Sequence, residues 1–237
     1  MADVMHAIGR HGAGERLPRH RHREGYIAVV LAGGYVEAGD HGRLAAAPGT
    51  VLVHGAWAAH QDRFGANGAQ VLNLPAAAGL AEGMGRIADP DAAARLAERD
   101  SHAAAAWVRA HFVPGAARLD DWPDLLAEAL RTDPDLVLSG WADTMRLDPA
   151  SVSRGFARAY GVSPKRFRLE ARTRRAVLAL AGWQGSLAAF AADHGFADQA
   201  HFTRSVLALT GRTPGKVRSI QRAAGALPPS AWTAASS

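Results

Sequence analysis

The sequence contains no cysteine, which removes disulfides, thiolate metal ligands and cysteine nucleophiles together. That absence fits a reducing compartment. No apolar run is long enough to span a bilayer, because Arg, Asp or Gly interrupts the Ala-rich stretches. Residues 1–14 hold no apolar segment of the kind a secretory leader needs. These gaps predict a cytoplasmic protein with no membrane partner. At 237 residues and 48% hydrophobic composition, the chain has room for one small domain and one compact helical domain. It is too short for a large enzyme.

Charge is present but unevenly placed. Residues 139–222 carry 14 Lys or Arg against 5 Asp or Glu, a surplus of +9, while residues 1–138 carry 13 against 17, or −4. A basic block behind a mildly acidic one points to a polyanion partner for the block alone. A solvated basic surface is the plainer alternative.

Three zones follow from local pattern. Between Gly14 and Pro75, short β-rich runs alternate with glycine-containing turns: Tyr26–Leu31, a turn at Gly33-Gly34, Tyr35–Glu37, Thr50–His54 and Gln70–Leu74. Strands at this spacing predict a small all-β barrel or sandwich. From Ala76 to Asp135 the composition turns to Ala, Leu, Glu and Arg with helical period, and Asp89-Pro90 and Asp133-Pro134 read as helix starts. Two to four short helices are expected there. Leu136 to Arg222 is helical again and far more basic, and the Ala/Pro/Ser-rich remainder is expected to be disordered.

The third zone repeats itself at an offset of fifty. Asp143 falls on Asp193, Asp148 on Asp198, Arg154 on Arg204, Gly161 on Gly211, Pro164 on Pro214 and Arg168 on Arg218. In the second copy, Ser186–His194 forms a first helix that Gly195 ends in the left-handed conformation. Asp198 then caps a second helix whose inner stripe is Phe202, Val206 and Leu209. In the first copy, Trp141–Met145 and Pro149–Tyr160 are the two helices, and Met145 stands where the second copy has its turn glycine. Lys165–Leu180 can form one continuous helix between the copies. Such a helix at ~1.5 Å per residue suits two units that reach successive major grooves, roughly 34 Å apart. A plain bundle of helical hairpins is the competing reading.

Residues 139–219 resemble the DNA-binding domain of AraC/XylS-family transcription regulators. The resemblance rests on Ala191-x-x-x-Gly195-Phe196-x-Asp198-Gln199-x-His201-Phe202-x-Arg204, followed by Gly211-x-Thr213-Pro214. It implies two helix-turn-helix subdomains that read adjacent grooves of double-stranded DNA. Carried over by position, Ala150, Ser151, Ser153 and Arg154 face DNA from the first reading helix. Gln199, Ala200, His201, Thr203 and Arg204 do so from the second. Arg suits guanine, Gln suits adenine, and the alanines suit a thymine methyl. Lys165, Arg166, Arg212 and Lys216 stand near helix starts and suit phosphates, while Phe156 and Phe202 belong to the core.

The N-terminal zone has a motif of its own. Gly14-x5-His20-x-His22 has the spacing of a first cupin motif, and Gly42-x5-Pro48-Gly49 followed by His60 resembles the second. In a strand, His20, His22, Glu24 and Tyr26 share one face. If the barrel forms, His20, His22 and His60 converge in its mouth as a three-nitrogen set suited to a divalent metal such as Zn, Fe, Mn or Ni. The pattern departs where a carboxylate ligand belongs, since Tyr26 holds that position. The alternative is a polar effector pocket of the same histidines with Glu24 and Tyr26.

The resulting expectation is an α+β multidomain chain: a cupin-like β-barrel over residues 1–78, a helical linker or dimerisation region over 79–136, an all-α double helix-turn-helix domain over 137–222, and a tail over 223–237. It is a non-enzymatic regulator controlled by a small ligand or metal, with RNA polymerase, an effector and a second copy of the chain as further partners. Trp107 and Trp122 offer a dimer surface or pack on the barrel. A metal-dependent cupin catalyst fused to a DNA-binding domain, and a constitutive DNA binder with a purely structural barrel, are the competing readings.

Overall fold

The computed structural model of the chain describes residues 8–115, 119, 121–133 and 135–225. Pro134 and most of the tail expected to be disordered, residues 226–237, lie outside the described residues. Two compact units divide the chain at residues 164 and 165.

The first unit is built on an antiparallel ribbon. β3 (Tyr26–Gly39) and β6 (Ala59–Pro75) pair along nearly their whole lengths, from Tyr26 opposite Pro75 to Gly39 opposite His60. Each half of the ribbon recruits different partners. β1 (Ile8–His11) and β2 (Arg16–Arg21) both add to β6, at its two ends. β4 (Gly42–Ala46) and β5 (Thr50–His54) likewise add to the two ends of β3. β7 (Gly83–Arg86) extends β5 and β8 (Val113–Pro114) extends β7. The main order is β1-β6-β3-β5-β7-β8. The sheet is therefore not closed into the barrel expected, although a cupin-like arrangement is compatible with it.

The Gly33-Gly34 pair is not the turn that its composition suggests. β3 runs through it, with register shifts on either side. Gly33 has φ +70°, and a Cβ there would lie 2.1 Å from the Gly68 carbonyl oxygen. Only glycine allows the two strands to cross this closely while the ribbon bends.

Bending explains why β3 and β5 read as unbroken apolar runs rather than alternating ones: both faces are buried. Ile27, Val29, Val51, Val53, Leu72 and Leu74 face one way. Against them pack α1 (Pro90–Ala97) and α2 (Ser101–His111), through Ala93, Ala104, Ala105 and Val108. Tyr26, Ala28, Val30 and Leu52 face the other way and meet Tyr35 and Phe64 from the second half of the ribbon and Leu44 and Ala46 from β4.

The stretch expected to be helical thus supplies two strands as well as helices. Four residues, two of them glycine, carry no visible periodicity, so β7 depends on the edge that β5 offers it. Asp89 does cap α1, accepting from the Ala92 amide at 2.8 Å. Asp133 does not begin a helix. It accepts from the Asp135 amide in a local turn after α3 (Trp122–Thr132), because an Asp side chain caps a turn as readily as a helix. α3 starts instead at Asp121 with Pro123 in its first turn, closed by a reciprocal capping box with Asp124. Trp107 packs on the first apolar cluster.

The first unit also contains α4 (Leu138–Thr144) and α5 (Pro149–Tyr160). α6 (Pro164–Ala179) leads into the second unit and passes through a 3-10 turn, Leu180–Gly182. α7 (Leu187–Asp193), α8 (Gln199–Thr210) and α9 (Pro214–Gly225) complete that unit. Its core is aromatic: the Phe202 ring lies 5.3 Å from Phe190 and 5.1 Å from Phe196.

Candidate nucleic-acid interface and histidine cluster

The second helices of the two repeats, α5 and α8, begin alike. Asp148 accepts from the Ser151 amide at 2.8 Å, and Asp198 from the His201 amide at 2.6 Å. Each cap satisfies an amide that the first helical turn would otherwise leave without a partner. Both helices end on a left-handed glycine, Gly161 at φ +74° and Gly211 at φ +70°. α5 and α8 are therefore the same length and in register at an offset of fifty.

The turns before them differ. In the second repeat Gly195 (φ +71°) donates to the Ala192 carbonyl and Phe196 to the Ala191 carbonyl. The same two bonds in the first repeat run from Arg146 to Asp143 and from Leu147 to Ala142. Arg146, at φ +54°, is thus the counterpart of Gly195, at an offset of forty-nine. The Met145–Gly195 correspondence read from the sequence is corrected by one residue, because the first turn is one residue shorter. A constant-offset comparison cannot reveal a deletion confined to a turn.

None of the residues assigned to DNA is buried. Ala150, Ser151, Arg154, Gln199, Ala200 and Arg204 are exposed, and Ser153, His201 and Thr203 are half-buried on the inner edges of their helices. Arg154 donates to Ser151 at 3.1 Å, so both sit on the same outward face one turn apart. Lys165, Arg166 and Lys216 are exposed and Arg212 half-buried. Arg166 also pairs with Glu170 at 2.8 Å. Phe156 and Phe202 are fully buried, as their inward positions require.

α5 is fastened to the sheet of its own unit. Tyr160 donates to Asp124 of α3 at 2.6 Å, and Asp124 in turn accepts two bonds from Arg43 of β4, at 3.0 and 2.8 Å. Burial pushes the Asp124 carboxyl up, but the Arg43 and Tyr160 hydrogen bonds outweigh it and hold the group below its ordinary range. Gln61 of β6 donates to the Ala159 carbonyl at 2.8 Å. A Cβ on Gly161 would lie 2.3 Å from the Gln61 side-chain oxygen and 3.4 Å from Arg19. Gly155, mid-helix, admits the Trp122 ring, which a Cβ would approach to 2.5 Å. None of these partners was legible in sequence, since each pairs residues at least thirty positions apart.

The histidines also converge. His20 and His60 are cross-strand partners on β2 and β6, with ring centroids 4.3 Å apart and Nε2 atoms at 3.0 Å. His22 lies 5.0 Å from the His20 ring and 4.7 Å from Tyr26. His20 Nδ1 meets the Pro18 carbonyl at 2.9 Å. A carbonyl only accepts, so His20 Nδ1 carries the proton and its Nε2 accepts from His60 Nε2–H. That leaves His60 Nδ1, which is buried without a hydrogen-bond partner.

Glu24 departs from the expected strand face. β2 ends at Arg21, and Glu24 stands exposed in the turn before β3. Two residues not singled out in the sequence take its place beside the histidines: Glu37 of β3 and His54 of β5. His54 Nε2 lies 3.4 Å from a Glu37 carboxylate oxygen, and its ring stacks on Tyr26 at 4.5 Å. Glu37 is directly opposite Asp62 on β6. The faint signal was a lone Glu and a lone His in otherwise apolar strands.

Burial governs their ionisation. It drives His54 down to about 3, helped by His41, His22 and His20, and drives His60 well below the imidazole range. Burial, with Asp62 opposite, pushes Glu37 well above the carboxylate range, and Asp62 rises to about 7. Near neutral pH His54 and His60 are therefore neutral imidazoles, the form that binds metals and accepts hydrogen bonds.

Residues 141–220 match the family model described as a helix-turn-helix domain. Three solved structures are among those similar to the chain. An AraC-type transcriptional regulator from Chromobacterium violaceum is 23% identical over 41% of this chain and 88% of its own, with TM-score 0.37. The DNA-binding domain of AdpA, solved with a target DNA, is 20% identical over 44% and 96%, with TM-score 0.39. ToxT from Vibrio cholerae is 7% identical over 90% and 97%, with TM-score 0.40. No curated protein matches the chain. The match assigns residues 141–220 to a helix-turn-helix domain. Among the described residues, no helix is long and apolar enough to cross a membrane.

Proposed function

We propose that this regulator reads its operator with α5 and α8 and is switched by a signal taken up among the histidines of the sheet domain. The carrying observation is the pair of capped helices that hold Arg154 and Arg204 exposed at the same turn. Gln199, Ala200, His201, Thr203 and Arg204 read bases from α8, with Ala150, Ser151, Ser153 and Arg154 as their shorter counterparts on α5. Lys165, Arg166, Arg212 and Lys216 hold phosphates. Regulation acts through binding, without catalysis, in the cytoplasm, and RNA polymerase and a second copy of the chain are the protein partners.

The signal is a small molecule or a divalent metal at His20, His22 and His60, beside Tyr26. Three clustered imidazoles fit a metal, and the buried, unpartnered Nδ1 of His60 shows capacity unused within the protein. Bound there, a metal supplies positive charge and ties β2 to β6. Both strands also touch the end of α5: Arg19 and Gln61, which pack against Gly161, are the chain neighbours of His20 and His60. A shift of either strand in the pocket therefore reaches the first reading helix.

Footprinting on DNA upstream of the gene and its neighbours supplies the operator. Titrations of that operator and of random DNA at matched salt then test the reading. Arg204→Ala should weaken operator binding more than random binding. Equal loss on both makes Arg204 a phosphate contact.

A further inference from the structure

The interior of the sheet domain holds a second set of ligand-bearing side chains, more deeply buried than the His20–His22 pair. We propose that Glu37, His54 and His60 form a divalent-cation site of the two-imidazole, one-carboxylate type, suited to zinc or iron(II). It deepens the reading of the sheet domain as the sensing part, but uses a carboxylate and an imidazole that the His20–His22–His60 set does not contain.

Three observations carry it. The three side chains offer ligand atoms that all lie within 4.8 Å of one another, and each residue is at most 5% exposed. The His54 Nε2 to Glu37 oxygen distance is 3.4 Å. Two ligands ~2.1 Å from a tetrahedral metal stand ~3.4 Å apart, so this pair already has the required separation. Second, buried polar atoms here lack hydrogen bonds: His54 Nε2, His60 Nδ1 and Asp62 Oδ1. Buried polar atoms are almost always satisfied by protein, water or an ion. Third, Glu37 and Asp62 are cross-strand partners, two acidic side chains directly opposite each other in a buried interior. Ionised together, such a pair would oppose folding, and a dication between Glu37 and the imidazoles, with Asp62 beside it, supplies the opposite charge that lets the carboxylates ionise.

The chain's own residues set the chemistry. Without cysteine there is no thiolate to favour soft metals, and an imidazole–carboxylate set suits zinc and iron(II). Glu37 comes from β3, His54 from β5 and His60 from β6. A cation held by all three pins the middle of the sheet, whereas one held by His20, His22 and His60 ties its β2 edge.

The test uses the full chain stripped with chelator and then loaded with zinc or cobalt(II). Bound metal is counted after dialysis, and cobalt(II) is also followed by its visible absorption. The double variant His20→Ala/His22→Ala should retain one equivalent and the cobalt spectrum. Glu37→Gln/His54→Gln should lose both, with affinity lower by about a hundredfold or more. Because the double substitution can disturb the interior, Glu37→Gln alone is checked by circular dichroism and melting. Zinc should raise the melting temperature of the wild type and leave that of Glu37→Gln unchanged. Metal kept by the Glu37/His54 variant but lost by the His20/His22 variant overturns this site and leaves the sensing pocket standing. No metal in the wild-type chain overturns it too, and a thermal-shift response to small molecules then tests the pocket separately.

Discussion

The two helix-turn-helix repeats share a pattern but take their stability from different sources. In the second repeat nearly everything needed is close at hand. Ser186 and Asp198 cap its helices, Gly195 makes its turn, and Phe190, Phe196 and Phe202 fill its centre. Arg172 of α6 holds the turn by donating to the Gly195 carbonyl at 2.6 Å. Its Thr210 hydroxyl closes on the Val206 carbonyl of the same helix. The first repeat has no side-chain cap on α4 and uses an arginine where glycine is favoured. At the position of Thr210 it carries Tyr160, which reaches out to Asp124. One repeat is held by its own residues and α6; the other is held by the sheet of the first unit.

The difference can be broken or sharpened by substitution. The largest effect is expected on DNA. Arg204→Ala should reduce operator affinity by about 1–3 kcal/mol if the side chain reads a base. Arg154→Ala, on the repeat with shorter neighbours, should cost less, by competition titration at fixed salt. Equal losses would erase the proposed asymmetry.

Next comes the fastening of α5. Tyr160→Phe removes a hydrogen bond to a carboxylate, worth about 1.5–3 kcal/mol, and denaturant unfolding should show that loss in the first unit. Thr210→Val, which deletes a local bond between neutral groups, should cost about 1 kcal/mol or less. If both substitutions cost the same, the contrast between outward and local anchoring fails.

The caps should behave alike. Asp148→Ala and Asp198→Ala each remove one side-chain cap and should each destabilise by about 1 kcal/mol, measured by thermal unfolding. A much larger effect at one of them would mean that the side chain has a second role.

The smallest change runs in the opposite direction. Arg146→Gly relieves a left-handed backbone at a residue with a Cβ and should stabilise the first repeat by about 0.5–1 kcal/mol. The reverse type of change, Gly195→Ala, should destabilise the second. A destabilised Arg146→Gly variant would show that this side chain makes a contact worth more than the strain.

Much of the DNA-binding region was legible because its signals are local. Asp148 and Asp198 lie within three residues of the amides they cap, and Gly161 and Gly211 stop helices wherever they occur. The register of the first turn was not, because the loss of one residue between Met145 and Asp148 leaves the downstream identities at offset fifty intact. The Asp143–Asp193 identity upstream is coincidental, and Asp143 stands opposite Ala192. In the sheet domain the strands at Tyr26 and Thr50 showed as apolar runs. The bent continuity of β3 through Gly33-Gly34 did not, since paired glycines in sequence look the same whether they turn a hairpin or permit a bulge.

The amino-acid sequence by itself determined that this chain carries two helix-turn-helix units and a histidine-bearing strand, because caps, stops and short motifs act over a few residues. Only the tertiary structure decided that Glu37 and His54 stand beside His60, and that Tyr160 is tied to Asp124 and Arg43. Those meetings depend on strand register and helix packing between residues far apart in the chain, and such long-range pairing leaves no mark on either partner alone.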